Sequence, residues 1–390
     1  MTSAHVVDAL PSSGLGHPGE ARADTGRGRP ANLPSLTGLR WTAALLVFLY
    51  HVSVVQYFGG HAANLVHRAF NAGDVGVSFF FVLSGFVLTW SAPNARALPF
   101  YRRRFARIYP VHLATALIAI ALVYVSSPGT WPGRAQLLAN LTLTQSWFPN
   151  GSFYQSVNTV SWSLSCEEFF YIAFPLVLVL LRRLGWRANM CVVALCIALD
   201  FLIPAYAHHV VPTRDLGFFL YYFPATRLPE FVLGMALALV VRSGRWRGPG
   251  VAVSLAMTVT GYFMCDSFPL NYRYVACTIV GIACLIAAVA LADIKGEPSP
   301  WRSRRAVRLG ELSFAFYMIH IIVMREGEIL FRAHPHEGWF YGSVATLSAF
   351  TVALAAAWML HRFVEIPSRR LILSSPTRSK PKTSSASQTA

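Results

Sequence analysis

Ten continuous apolar runs, each near 20 residues, fill this sequence between about residues 39 and 361. Wound as α-helices, runs of that length match the roughly 30 Å hydrocarbon core of a bilayer. Within lipid the backbone must satisfy its own hydrogen bonds, which leaves helices and closed barrels as the only spanning structures. Barrel strands alternate apolar and polar residues, and these runs do not. The sequence therefore predicts an all-α polytopic membrane protein with about ten transmembrane helices. The expected spans are 39–58, 74–92, 106–126, 164–181, 188–206, 218–241, 249–265, 273–292, 308–324 and 341–361. Composition agrees: 13% of residues are charged, against about 25% in soluble domains.

Charge gives the orientation. The chain carries 33 Lys and Arg against 17 Asp and Glu. Nucleic-acid binding is one reading of such an excess, but the basic residues lie in short clusters between apolar runs, as cytoplasmic loops do. With the N-terminus inside and ten crossings, 26 of the 33 fall on the cytoplasmic side and 7 outside. Both termini are thus expected in the cytoplasm. Residues 1–34 are rich in Gly, Pro, Ser and Arg and lack the apolar core of a signal peptide. They read as a disordered extension, 35–372 as the transmembrane domain, and 373–390 as a polar, disordered tail. Six cysteines lie in or beside apolar segments without a CxxC pair, so no disulfide framework or metal site is expected. Walker A, GxSxG and HExxH patterns are absent from the sequence.

Polar residues inside the apolar runs are the candidates for chemistry. Arg40 and His51 in "LRWTAALLVFLYHVSVV" are eleven positions apart. That is three helical turns plus about 20°, over roughly 16 Å of rise. Both side chains then face one way, Arg40 at the cytoplasmic interface and His51 near mid-membrane. Histidine at that depth either packs by hydrogen bonding to a neighbouring helix or serves proton transfer. Arg102, Arg103, Arg104 and Arg107 cluster at the start of the third run, either as a topology anchor or as an anion site. Glu167 and Glu168 open the fourth run, where packing does not account for two carboxylates. Arg227 and Glu230 are three apart, the spacing of an ion pair within one helix. Ser313, Tyr317 and His320 share a helix face, which suits a polar seam between helices or a site.

Together these stretches resemble the acyltransferase-3 family of integral membrane O-acyltransferases. The arginine and histidine of the first run, "GVSFFFVLSGFVL" (76–88), "RRFARIYP" (103–110), "WSLSCEEFFY" (162–171), "RLPEFVLG", "LSFAFYMIH" and "HRFVEIPSRR" (361–370) follow in the family's order. The resemblance covers about residues 36–371. It implies a ten-helix bundle that moves an acyl group from cytoplasmic acyl-CoA to a hydroxyl, usually of a sugar, with no bound cofactor and no metal. Only a short tail follows the tenth run, which implies the stand-alone type without an SGNH hydrolase-like domain. Such members act on surface glycans or on glycosylated natural products such as macrolide antibiotics.

Carried onto this chain, the resemblance makes His51 the general base and Glu167 the acid that orients it. Glu167 is expected nearer the outer side, so it must reach inward, or the loop 127–162 must fold into the bundle. Arg103, Arg104 and Arg107 are expected to hold the CoA phosphates, and Arg40 to bind the donor between them and His51. Trp162, Ser163, Tyr171, Arg227, Glu230, Ser313, Tyr317 and His320 are expected to support the site. The expected partners are acyl-CoA, a hydroxyl-bearing glycan or glycosylated small molecule, and membrane lipid, with no nucleic acid. The competing reading is a transporter or flippase, although the halves of the sequence show no repeat.

Overall fold

The computed structural model describes residues 30, 32–91, 97–126, 131–331 and 338–374. All ten apolar runs are helical: α1 (Pro34–Val55), α2 (Val75–Ser91), α3 (Ala97–Ser126), α4 (Trp162–Arg183), α5 (Trp186–Val210), α6 (Pro224–Arg242), α7 (Val251–Met264), α8 (Ala276–Lys295), α9 (Arg304–Phe331) and α10 (Trp339–Leu360). Among the described residues, nine helices are long and apolar enough to cross a membrane. The seventh run falls short. "GPG" at 248–250 delays its start, so α7 has 14 residues and spans about 21 Å at 1.5 Å per residue. Most of the expected extension 1–34 and tail 373–390 lies outside the described residues. At their inner edges, α1 begins at Pro34 and a last short helix, Ile366–Ser374, follows α10.

Helix packing sets the shape of the interior. Phe48, Phe81, Phe86, Phe170, Phe231 and Phe316 are fully buried at its centre. The α2–α6 contact is close because each helix offers a glycine. A Cβ on Gly85 would lie 2.0 Å from the Phe231 carbonyl oxygen, and one on Gly234 would lie 1.9 Å from that of Val82. Small residues at a crossing let two backbones approach and gain dispersion contacts where lipid offers no hydrophobic drive. Arg227 and Glu230 lock the same contact. Both are fully buried, with Nε 2.7 Å from Oε1, and Arg227 Nη2 donates to Ser78 Oγ on α2 at 2.9 Å. The guanidinium also lies over the rings of Phe81 and Tyr221, at 5.3 and 5.2 Å.

The segment between α3 and α4 does not stay outside. Its short helices (Arg134–Leu141, Gln145–Trp147, Gly151–Tyr154) fold into the bundle. Asn140, Gln145, Ser146 and Asn158 are all buried. Asn158 Nδ2 donates to the Met318 carbonyl in mid-α9 at 2.8 Å, and His112 Nε2 donates to the Asn140 carbonyl at 3.0 Å. Buried amides of this kind persist only when hydrogen-bonded. The segment therefore sets the start of α4 against the middle of α9, where Ser163 Oγ lies 2.9 Å from the Tyr317 hydroxyl.

Candidate active site

His51 and His320 meet between α1 and α9. His320 Nε2 lies 3.1 Å from His51 Nδ1, with the rings 4.9 Å apart. Their remaining contacts fix the protons. His51 Nδ1 is 2.9 Å from the Val47 carbonyl, and His320 Nδ1 is 2.7 Å from that of Tyr317. Carbonyls only accept, so in the neutral pair each Nδ1 carries the hydrogen. His320 Nε2 then accepts a share of the His51 Nδ1–H. This arrangement leaves Nε2 of His51 as an unprotonated nitrogen.

His51 lines a chamber of about 540 Å³ whose wall includes Tyr50, Asp74, Gln155, Trp162, Tyr222 and Glu328. These residues come from six parts of the chain: the second half of α1, the segment between α3 and α4, the starts of α2 and α4, the turn before α6 and the end of α9. On the other half of the bundle, Arg40, Ser84, Arg104, Arg107, Glu167 and Tyr171 line a second pocket of about 100 Å³. The Tyr171 hydroxyl donates to Glu167 Oε2 at 2.8 Å. Arg107 pairs with Glu365, which His361 also contacts at 2.9 Å. Arg104 Nε is buried with no hydrogen-bond partner among the described residues. Its guanidinium lies 5.9 Å from the centre of the Phe100 ring. Three guanidinium groups with one buried donor unused form a site suited to an anion.

A smaller space lined by Arg40, Phe80, Ser163, Glu167, Ser313 and Tyr317 continues from the arginine pocket toward the chamber of His51. Tyr317 and Val77 border both this space and the chamber. The Tyr317 hydroxyl lies 2.9 Å from Ser163 Oγ and donates to the Val160 carbonyl at 3.1 Å. A tyrosine–serine pair thus forms the partition between the two sides.

The structure redistributes the expected site residues. Arg40, Arg104, Arg107, Glu167 and Tyr171 come together, and His51, Trp162, Tyr317 and His320 come together. Glu167 is a correction: it lines the arginine pocket and not the chamber of His51, and the group in contact with His51 is His320. The inward fold of residues 134–161 is the reason, because it lowers the whole start of α4. Arg103 stands apart from Arg104 and Arg107. It is exposed and does not border the pocket that Arg104 and Arg107 line. Glu168 is half-buried and borders neither space. Arg227 and Glu230 form the ion pair their spacing suggests and tie helices together.

Two groups of residues escaped sequence reasoning. Tyr221 and Tyr222 reach the chamber from a π-helical turn, Phe218–Tyr222, and Glu365 reaches Arg107 from another, His361–Glu365. Such turns often mark functional positions, yet nothing in apolar periodicity announces them. Asp74 was legible in principle, as a single acid immediately before an apolar run. Among the described residues no group of three potential ligands gathers to hold a metal ion.

The comparisons with known proteins bear on what this site does. A family model described as "Acyltransferase domain", that of the acyltransferase-3 family, matches residues 33–361. The chain is 40% identical over 363 residues to "Acyltransferase MdmB" of Streptomyces mycarofaciens, covering 88% of this chain and 93% of that one. It is 28% identical to the "Putative peptidoglycan O-acetyltransferase YrhL" of Bacillus subtilis, and 29% identical to the "Peptidoglycan O-acetyltransferase OatA" of Listeria monocytogenes. It spans 48% and 34% of the length of those two. No solved structure matches the chain.

Proposed function

Because the chain belongs to the acyltransferase-3 family of multi-pass membrane proteins, we propose that it transfers an acyl group from acyl-CoA to a hydroxyl of a glycan or glycosylated natural product, in a bacterial plasma membrane. The observation that carries this reading is the state of His51. Its Nδ1–H is held by Val47 and His320, and its free Nε2 belongs to a ring lining a chamber large enough for a small acceptor. A proton acceptor placed in this way meets the first need of general-base catalysis.

An alcohol is a weak nucleophile until its proton leaves. Nε2 of His51 takes that proton as the alcohol oxygen attacks the thioester carbonyl carbon. The tetrahedral intermediate collapses with cleavage of the C–S bond, and the departing thiolate takes the proton back from Nε2. The products are an ester and free CoA, and His51 returns to its starting state. Arg40, Arg104 and Arg107 hold the donor's phosphates, with Glu167 and Glu365 keeping the guanidinium groups in place. The acyl end reaches His51 past Tyr317 and Ser163. The names of the relatives, acyltransferase and O-acetyltransferase, support an oxygen acceptor. The basic cluster on the side assigned to the cytoplasm supports a polyanionic donor.

The test is thiol release from a panel of acyl-CoAs by protein purified in detergent, with glycosylated acceptors added and the His51→Ala variant alongside. Release that requires both an acceptor and His51 is expected. Wild-type turnover by folded His51→Ala protein would remove His51 as the base. No release with any donor would send the search to a different acyl carrier.

A further inference from the structure

Two of the six cysteines meet where α7 and α8 cross. The two helices touch backbone to backbone: a Cβ on Gly261 would lie 2.3 Å from the Cys277 carbonyl oxygen, and one on Gly281 would lie 2.6 Å from the Thr258 nitrogen. Cys265 stands one helical turn after Gly261 and folds back over it, with Sγ 3.2 Å from the Gly261 carbonyl oxygen. Cys277 therefore lies against the same crossing as Cys265, and the two thiols are within hydrogen-bonding reach of each other. Both also pack on Ala72 and Val75 at the start of α2. Cys265 is fully buried and Cys277 is partly exposed. Neither sits in mid-helix: Cys265 opens a 3₁₀ turn, Cys265–Ser267, and Cys277 is the second residue of α8.

The loop between the two cysteines braces its neighbours. Arg273 donates to the Asn71 carbonyl and pairs with Asp266 at 3.7 Å. The Tyr274 carbonyl accepts from Ser78 Oγ on α2 at 3.4 Å. The Tyr274 ring lies 5.0 Å from that of Tyr221, which lines the chamber of His51. We propose that Cys265 and Cys277 form a dithiol–disulfide site, whose oxidation ties the ends of the loop 266–276 and stiffens that wall. The oxidant is of the disulfide class. The Cys277 sulfur, the more accessible of the two, attacks the oxidant's S–S bond. That bond breaks, and one thiol leaves with the proton of Cys277. The Cys265 sulfur then attacks the Cys277 sulfur of the mixed disulfide. The bond between the two cysteines forms, and the second thiol leaves with the proton of Cys265. Two electrons pass from the cysteines to the oxidant. A disulfide needs a defined geometry, and a turn and a helix end can shift to meet it where two mid-helix positions could not. No step draws on the acyltransfer reaction.

The experiment uses the full chain in detergent. Reduced protein is treated with dithiodipyridine, a small apolar disulfide. Remaining thiols are then alkylated and the digest is read by mass spectrometry. A linked Cys265–Cys277 peptide that carries no pyridyl adduct and is undone by dithiothreitol is expected. Cys166, Cys191, Cys196 and Cys284 are expected to end as adducts or alkylated, and not linked. Hydrogen exchange over residues 266–276 is expected to slow by roughly 10-fold or more on oxidation of wild-type protein, and to be unmoved in Cys265→Ser and Cys277→Ser. Should a serine variant fail to fold, wild-type protein reduced again with dithiothreitol is the control, and its exchange must return to the starting rate. A Cys277 that stops at the pyridyl adduct, or both thiols recovered alkylated from folded protein, overturns the disulfide. A linked pair with unchanged exchange over 266–276 overturns the brace.

Discussion

A neutral imidazole accepts a proton only at the nitrogen its other contacts leave free, and in His51 that nitrogen is set by Val47 and His320. Replacing His51 by alanine removes the proposed base, and kcat is expected to fall by about 10²–10⁴-fold, read as thiol release from folded protein. In the proposed reaction His320 acts through His51, as a positioning residue. His320→Gln keeps a side-chain oxygen that can accept the Nδ1–H and is expected to retain more activity than His320→Ala, with KM little changed in both. Equal losses in the two variants would mean that the ring fills space and does not hold the proton. The sign of the pH dependence follows from the role. A base must be unprotonated, so kcat/KM is expected to fall as pH drops through the titration of His51, and that limb should vanish in His51→Ala. On the donor side, Arg104→Ala is expected to raise the acyl-CoA KM roughly 10- to 100-fold, as loss of a charge-assisted hydrogen bond worth about 1.5–3 kcal/mol would. The pairing of Arg40 with His51 on one helix face was legible from spacing alone. That His320 contacts His51 was not, because residues 269 positions apart share no local pattern.

Among the elements, the helices themselves were the most legible, since a run of apolar residues in lipid has few ways to satisfy its backbone. The least legible was the segment between α3 and α4. Its inward fold was one of two alternatives left open for the loop 127–162, and Asn140, Gln145, Ser146 and Asn158 are all buried, each side chain meeting a partner in another turn or helix. Such partners lie outside any sequence window, so where α4 begins, and with it the neighbours of Glu167, was not legible; its place beside His51 came from the family resemblance. The α2–α6 contact yields a stability test. Gly85→Leu or Gly234→Leu forces a side chain against a backbone carbonyl, so both are expected to lower the unfolding temperature in detergent. Arg227→Ala leaves Glu230 charged and unpaired in the interior, where breaking a buried pair costs about 3–5 kcal/mol. The same thermal melt reads it, and an unchanged melting temperature would mean that the pair is not a structural tie.

At the scale of the whole molecule, hollow spaces enter the helical bundle from two sides and stop at the Tyr317–Ser163 contact. A membrane that stores energy as a proton gradient tolerates no wet channel through it. On the proposed route an acyl chain passes this thin wall, which is then also the membrane's insulation at this point, and passage has to be plugged by the substrate that opens it. Tyr317→Ala is expected to turn the protein into a slow proton leak, seen as faster acidification of a trapped dye in liposomes than with wild-type protein. The enzyme would then be under selection for electrical tightness as well as for turnover, and its aromatic partition would answer to both.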